Sequence, residues 1–449
     1  MMTPILEIPE SVSQYLKYYR NLFCRKEGFE SICRFVTGLL LSPNKTLQGI
    51  HACQVFSENP KSRRSMHESV FESGWSSEEL MSRHRNHLSS HYSQAKGKSV
   101  ISLDWTFGHH DWGKKIHGVK WQWDYVKGRY CLCQSLATAT ISNPSRFDPI
   151  DLDVQEPKYL SQEKSYLDAS VKESYSNEEE AKTRLLELLH YSLHEKEYKT
   201  IHELFIETVH RIEKETYFPG SDYAFDNGVL QLQLTQAIES YGKHWVSELE
   251  IARNIMWKGK WTRIDLVDQE LKEEHPEAFQ VKRVKLRTGE HKDYWVFSKV
   301  VRLKKGWGRK RIAIVHEKED LSDRPRFLIT DANHWDGTKM IQVWSYRWPC
   351  EVVHDFGKNI LGLEQAQVRK KEAVLKHLRL SCVSQSILNQ TEVKPSTTEQ
   401  FSFAQGQSTV GQKVKAIARE ALHSILEYTK NALLQQRTTN EILDQLMPV

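Results

Sequence analysis

Val100-Ile101-Ser102-Leu103-Asp104-Trp105-Thr106 is a run of β-branched and apolar residues with one acid near its end, and it marks a change of period from helix to strand. Two further strands are predicted immediately downstream, at Gly118–Tyr125 and Arg129–Thr140, joined by glycine-containing turns. Three consecutive strands open a sheet. Further on, the short apolar strand Asp222–Phe225 runs into Asp226-Asn227-Gly228. An amphipathic helix to about Tyr241 and a strand at His244–Ala252 follow. Three antiparallel strands and then strands alternating with helices predict a mixed α/β sheet covered by helices on both faces.

Outward from that core, residues 1–97 are predicted helical. Val12–Phe23, Phe29–Leu41 and Glu68–Phe71 carry apolar residues at three- and four-residue spacing. A compact helical domain with basic loops suits DNA contact and equally suits an ordinary solvated surface. Arg83–His91, rich in Arg and His, is expected to be a linker. Residues 147–182 turn acidic and polar, as an exposed connection would, and lead into helical stretches at Glu179–His194 and Tyr198–Thr216 that end at Pro219-Gly220. Residues 255–343 alternate in short segments, Gln280–Leu286, Tyr294–Leu303, Arg311–Val315 and Arg326–Ile329. They are expected to form a basic, β-rich insertion. A long helix is predicted over Pro349–Lys376 and continues through Leu378–Leu388; Thr391–Lys413 is linker-like, and 413–447 is helical again. The domain reading is therefore a helical N-terminal domain over 1–97, a core over 98–254 and 344–390, the insertion over 255–343, and a linker with a helical dimerisation region over 391–449.

The net charge of +5 conceals uneven acidic and basic segments among 63 Lys and Arg and 58 Asp and Glu. Seven cysteines, at 24, 33, 53, 131, 133, 350 and 382, form no CxxC pair, which argues against a disulfide framework or a zinc ribbon. No apolar run approaches the ~20 residues needed to cross a bilayer, and the N-terminus lacks a signal-peptide pattern. A cytoplasmic protein with no membrane partner is expected.

Three acids stand where an α/β core presents ligands: Asp104 in the first strand, Asp226 at the end of its strand, and Glu351 near the start of the last core helix. Asp226 follows Asp104 by 122 residues, and Glu351 follows Asp226 by 125. Carboxylates from separate elements can clamp two Mg²⁺ or Mn²⁺ ions roughly 3.5–4 Å apart around a phosphate. An Asp near a strand end is more often a turn former or a cap, and Asp222 and Asp331 also lie near strand ends. Composition and spacing alone leave the choice of acids open.

The segment Trp344-Ser345-Tyr346-Arg347-Trp348-Pro349-Cys350-Glu351, followed by Lys358, resembles the Tyr-x2-Arg-x3-Glu-x6-Lys signature of bacterial insertion-sequence DDE transposases, the IS-four superfamily. The tyrosine position holds Trp344, with Tyr346 two residues on. Leu103-Asp104-Trp105-Thr106 with Gly113-Lys114-Lys115 and Gly118-Val119 is similar to the family's first-aspartate strand and hairpin. Asp226-Asn227-Gly228 resembles the second aspartate. Leu328-Ile329-Thr330-Asp331 resembles the strand leading to the signature. Gly38-Leu39-Leu40-Leu41 with Lys45 is similar to the entry region of the branch related to insertion sequence seven-oh-one.

That resemblance implies a ribonuclease H-like core interrupted by a β-rich insertion before the glutamate helix, with Asp104, Asp226 and Glu351 holding two Mg²⁺ ions for which Mn²⁺ substitutes. It implies cleavage and joining of double-stranded DNA at terminal inverted repeats, by default through a hairpin, in a homodimeric complex with target DNA. Two alternatives stand beside it: a domesticated, non-catalytic DNA-binding protein, and a ribonuclease H-like nuclease without strand transfer.

Arg347 and Lys358 are eleven residues apart, about three turns at ~3.6 residues per turn, so both can face the side of Glu351 and hold phosphates. Trp344 and Tyr346 are candidate DNA contacts at the same place. In the insertion, Val281–Arg287 and Lys299–Arg311 are basic runs in which Lys304, Lys305, Arg309, Lys310 and Arg311 suit a phosphate track. Trp295 and Trp307 suit stacking on an unpaired base, or packing within a small sheet. His109, His110 and Asp111 are adjacent on a loop and are expected to face DNA or serve structure. Cys131 and Cys133 are expected in the core.

Overall fold

The computed structural model describes residues 4–55, 60–93, 99–111, 113–156, 178–180, 182–183, 186, 198–394 and 408–447. Twelve strands form one mixed, mostly antiparallel sheet with helices on both sides. They are β1 (Val100–His109), β2 (Lys120–Asp124), β3 (Arg129–Ser142), β4 (Phe147–Val154), β5 (Asp222–Phe225), β6 (Trp245–Glu248), β7 (Asn254–Trp257), β8 (Lys260–Arg263), β9 (Gln280–Lys285), β10 (His291–Leu303), β11 (Gly308–His316) and β12 (Arg326–Thr330). The hydrogen-bonded order is β2-β3-β1-β5-β6-β12-β11-β10-β7-β8, with β4 also on β3 and β9 also on β10.

Strand β3 is long enough to serve two neighbours. Its first residues, Arg129–Cys133, pair with β2, while Leu136–Ser142 pair with β4. β4 departs from the acidic connection expected over 147–182. Its aspartates are tolerable in a strand because arginines meet them: Arg146 pairs with the buried Asp148, and Arg211 and Arg85 approach the buried Asp151. Those arginines hold Asp148 and Asp151 to a pKa of about 2 despite burial, which alone would raise it.

Alternation along β1 sorts its two faces. Ile101 and Leu103 point into a core with Leu88, Phe205 and Val209, the last two from the Ile201–Glu215 helix. That helix starts at a capping box in which Thr200 and Glu203 satisfy each other's backbone N–H groups. The opposite face of the sheet carries Val100, Ala224 and Val246 against Met340 and Ile341 of the Gly337–Trp344 helix. A third core joins the N-terminal helices, including Lys26–Leu41, to the Lys371–Gln390 helix.

Several expectations are corrected. Arg83–His91 lies inside the Ser77–Ser93 helix, where Arg85 is buried and ion-paired with Glu215. The helix predicted over Pro349–Lys376 is two helices, Pro349–Asn359 and Lys371–Gln390. Gly362 lies between them at φ +70, where a Cβ would sit 2.2 Å from Lys45 Cβ. Strands are present in 255–343 as expected, and they continue the main sheet, since β12 pairs directly with β6. Most of Glu179–His194 and much of Thr391–Lys413 fall outside the described residues, and the last helical region begins with the Val410–Leu434 helix. Among the described residues no helix is long and apolar enough to cross a membrane.

Candidate catalytic site

Strands β1 and β5 are parallel neighbours in the register Val100↔Asp222 to Leu103↔Phe225. Extended by one residue, that register sets Asp104 opposite Asp226, at the carboxyl end of β5. Asp222 sits at the other end of the same strand, buried. Asp331 accepts hydrogen bonds from His244 Nδ1 at 2.7 Å and the Trp245 N–H at 2.9 Å, and so serves the turn. Asp104 and Asp226 are therefore neighbours across the two strands, whereas Asp222 and Asp331 lie elsewhere.

The other face of β1 explains how Glu351 is brought there. Ser102, Asp104 and Thr106 point the same way, as a period of two requires. Ser102 Oγ donates to the Tyr346 carbonyl at 3.1 Å, the Cys350 thiol donates to Asp104 Oδ2 at 3.1 Å, and Lys358 Nζ donates to Thr106 Oγ1 at 2.7 Å. The Pro349–Asn359 helix and the turn before it thus lie along β1, held at three points. On β3, Thr138 Oγ1 lies 2.7 Å from His354 Nε2 and donates to the Asp104 carbonyl at 2.9 Å. Burial, with Lys358 and Arg347 nearby, depresses the His354 pKa to about 3, so this histidine is a neutral structural partner.

Arg347 stands between two of the acids. Its Nη2 donates to Glu351 at 2.5 Å, and its Nη1 lies 3.9 Å from Asp104 Oδ2. Burial and the neighbouring Asp226 charge push the Asp104 pKa up to about 6. Asp226 Oδ1 accepts from the N–H groups of Gly228 at 3.0 Å and Val229 at 3.2 Å, which fixes its carboxylate at the strand end. Burial lowers the Lys358 pKa.

Among the described residues, Asp104, Asp226 and Glu351 do not converge to within 4.8 Å of one another; His109, Asp124 and Cys131 do. A two-ion site spreads its ligands more widely than a one-ion site, because the ions themselves stand roughly 3.5–4 Å apart.

The sequence-predicted DNA contacts divide. Lys304, Lys305 and Arg309 are exposed at the β10–β11 turn, where Lys304 Nζ lies 4.9 Å from the Trp261 ring centroid. Lys310 is buried and paired with Glu239 at 2.7 Å. Arg311 donates to the Asn333 carbonyl at 2.9 Å. Trp307 is a core residue, edge-on to Trp245 at 6.2 Å, and Trp295 packs against the same core. Tyr346 is buried, and Trp344 is sandwiched by Arg326 and Arg347. Five of the eleven expected contacts, Trp295, Trp307, Lys310, Trp344 and Tyr346, are thus packed into the protein. Instead Trp348, three residues before Glu351, is 62% exposed. It was legible as part of the signature segment but carried no distinguishing signal.

No family model matches this chain, and no curated protein does. Among solved structures, the chain is similar to the NurA nuclease from Sulfolobus solfataricus at 10% identity and a TM-score of 0.26, covering 65% of this chain and 82% of that one. Overlap at that level assigns neither fold nor activity.

Beyond Lys358 the surface opens into a cleft of about 770 Å³ lined by Lys114, Lys115, Lys127, Lys358 and Arg369. It adjoins a second, of about 570 Å³, lined by Arg63 and Arg64; Gln365 and Gln367 border both. The two clefts bring cations from the N-terminal helices, the β1–β2 loop and the end of the glutamate helix near one another, alongside the acids Glu68, Glu72, Asp111 and Glu364. Lysines and arginines set along a groove suit a phosphate backbone.

Proposed function

We propose that this chain is a metal-dependent DNA transposase built on a ribonuclease H-like core, with Asp104, Asp226 and Glu351 as its catalytic acids. The observation that carries the proposal is the juxtaposition of Asp104 and Asp226 on adjacent parallel strands, with the Glu351 helix docked along β1. The strand order β4-β3-β1-β5-β6, three antiparallel and then two parallel, supports the core assignment.

When bound, two Mg²⁺ ions supply an activated attacking oxygen and stabilise the leaving oxygen. Asp104 and Asp226 would hold the ions through hard oxygen ligands at one strand end, with Glu351 as a third, and the Arg347 guanidinium would offer a bidentate fork to a phosphate. Lys358, held by Thr106, adds a point charge toward the basic cleft. Two copies of the chain would process two ends of terminal inverted repeats and join them to target DNA.

The test is cleavage of labelled double-stranded DNA carrying element ends, with Mg²⁺, Mn²⁺ or EDTA, on a denaturing gel. Metal-dependent nicks at the boundary followed by hairpin or joined products support the reading. Nicks without joining would make the chain a nuclease, and binding without any product a DNA-binding protein.

A further inference from the structure

Beside the cleft, the β2–β3 hairpin presents Trp121, Trp123, Tyr125 and Tyr130 to solvent, exposed by 60%, 42%, 77% and 66%. A two-stranded ribbon with its large apolar residues facing outward has little core of its own, and such ribbons are marginal in water. Its inner face must be stabilised by something else.

We propose that His109, Asp124 and Cys131 bind one zinc ion, separate from the proposed catalytic acids, which fastens this hairpin to the end of β1. The ligand atoms come from the end of β1, the end of β2 and the start of β3, and all lie within 4.8 Å of one another. The β2–β3 register pairs Gln122 with Cys131, which puts Asp124 and Cys131 on one face, and His109 approaches that face opposite Cys133. His109 Nε2 is 2.8 Å from Asp124 Oδ2. Asp124 Oδ1 is already taken by the N–H groups of Val126 at 2.8 Å and Lys127 at 3.1 Å, so Oδ2 is the oxygen turned inward.

The surroundings are those a metal-bound histidine uses. His109 Nδ1 lies 3.0 Å from Glu364 Oε1, and a carboxylate on the far nitrogen fixes the ring and its tautomer while Nε2 faces the ion. A nitrogen, an oxygen and a sulfur ligand suit zinc, with water as the fourth ligand, whereas magnesium takes oxygen ligands. One thiolate and one carboxylate neutralise the ion's two charges. Binding displaces the Cys131 thiol proton to solvent, and a neutral His109 would coordinate through Nε2 while its Nδ1–H donates to Glu364.

The experiment is metal analysis of the full-length chain, purified without chelator and desalted, followed by Co²⁺ substitution and absorption spectroscopy. One zinc per chain and a thiolate-to-cobalt charge-transfer band are expected. Cys131→Ser should lose the band, and Glu364→Gln should keep it while weakening metal affinity by roughly 10–100-fold. Cys24→Ser, at an exposed cysteine, should change neither. Asp104→Asn should retain one zinc per chain, which separates this site from the catalytic proposal. Wild-type protein that takes up no zinc, or whose cobalt form lacks the thiolate band, overturns the inference without reliance on any variant's folding. Unchanged affinity and spectrum in Cys131→Ser also overturn it.

Discussion

Arg347 reaches Glu351 through Nη2 at 2.5 Å and Asp104 through Nη1 at 3.9 Å, so a single guanidinium lies between two of the acids proposed to hold cations. It neutralises them where a divalent ion would, and an ion entering the site must move it aside. Arg347→Ala should therefore raise Mn²⁺ affinity on the order of tenfold, about 1.4 kcal/mol, while single-turnover DNA cleavage falls by about 10²-fold or more. Calorimetric Mn²⁺ titration alongside cleavage rates checks both. A loss of Mn²⁺ affinity would mean that the guanidinium supports the site and does not stand in for the ion.

The raised pKa of Asp104 has a definite sign. Burial and Asp226 disfavour its charged form, so metal binding by this residue should switch on as pH rises through about 6. The same shift affects stability without metal. An acid whose pKa rises from 3.8 to about 6 on folding weakens the fold progressively between those pH values and by a constant amount above them. At about 1.4 kcal/mol per pKa unit the penalty is roughly 3 kcal/mol. In EDTA, Asp104→Asn should raise Tm by several degrees at pH 8 and by much less near pH 4. Equal Tm changes at both pH values would contradict this account.

Two tryptophans should behave oppositely. Trp307→Ala empties a core position and should cost about 3–5 kcal/mol in denaturant unfolding. Trp348→Ala, at an exposed ring next to the site, should leave stability within about 0.5 kcal/mol. It should weaken binding to DNA with unpaired bases by about 1–3 kcal/mol. Identical affinities for wild type and Trp348→Ala would remove this ring from the DNA interface.

The basic residues separate in the same way. Replacing Lys304 and Lys305 with alanine should reduce the slope of log affinity against log salt by about 2, at roughly 0.9 per phosphate contact. Lys114, Lys115 and Arg369 together should reduce it by about 3 by the same rule. Lys310→Ala should leave the slope unchanged and lower Tm, because its ammonium pairs with Glu239 inside the fold. Binding isotherms across a salt series give all three answers.

The sheet's first strand, the β5 strand and its terminal acid, and β9 to β12 were legible because their apolar residues follow the strand period, whereas β7 and β8, four residues each, are too short to show one. β4 was not, since Asp148, Asp151 and Asp153 imitate a solvated connection until Arg146 from the preceding turn and Arg85, Arg211 and Arg379 from distant segments meet them. The break after Asn359 was missed although Gly362, at φ +70 and packed against Lys45, lies just beyond it. At the site, composition and spacing left the acids open and only the resemblance named Asp104, Asp226 and Glu351; the β1–β5 register adds that Asp104 and Asp226 are neighbours. Tryptophans in a basic run look alike in sequence whether they face solvent or core, and only the packing of Trp307 on Trp245 tells which.

One hydrogen-bonded ladder connects β2, at one edge, to β8, at the other. The aromatic hairpin beside Lys127 and the lysine-rich β10–β11 tip therefore belong to a single plank, with the Asp104 strand between them. A plank of this kind resists changes in the spacing of its ends, since altering it means breaking rungs. A duplex gripped at both ends would have to take its curvature from the protein, which would act as a template for bent DNA.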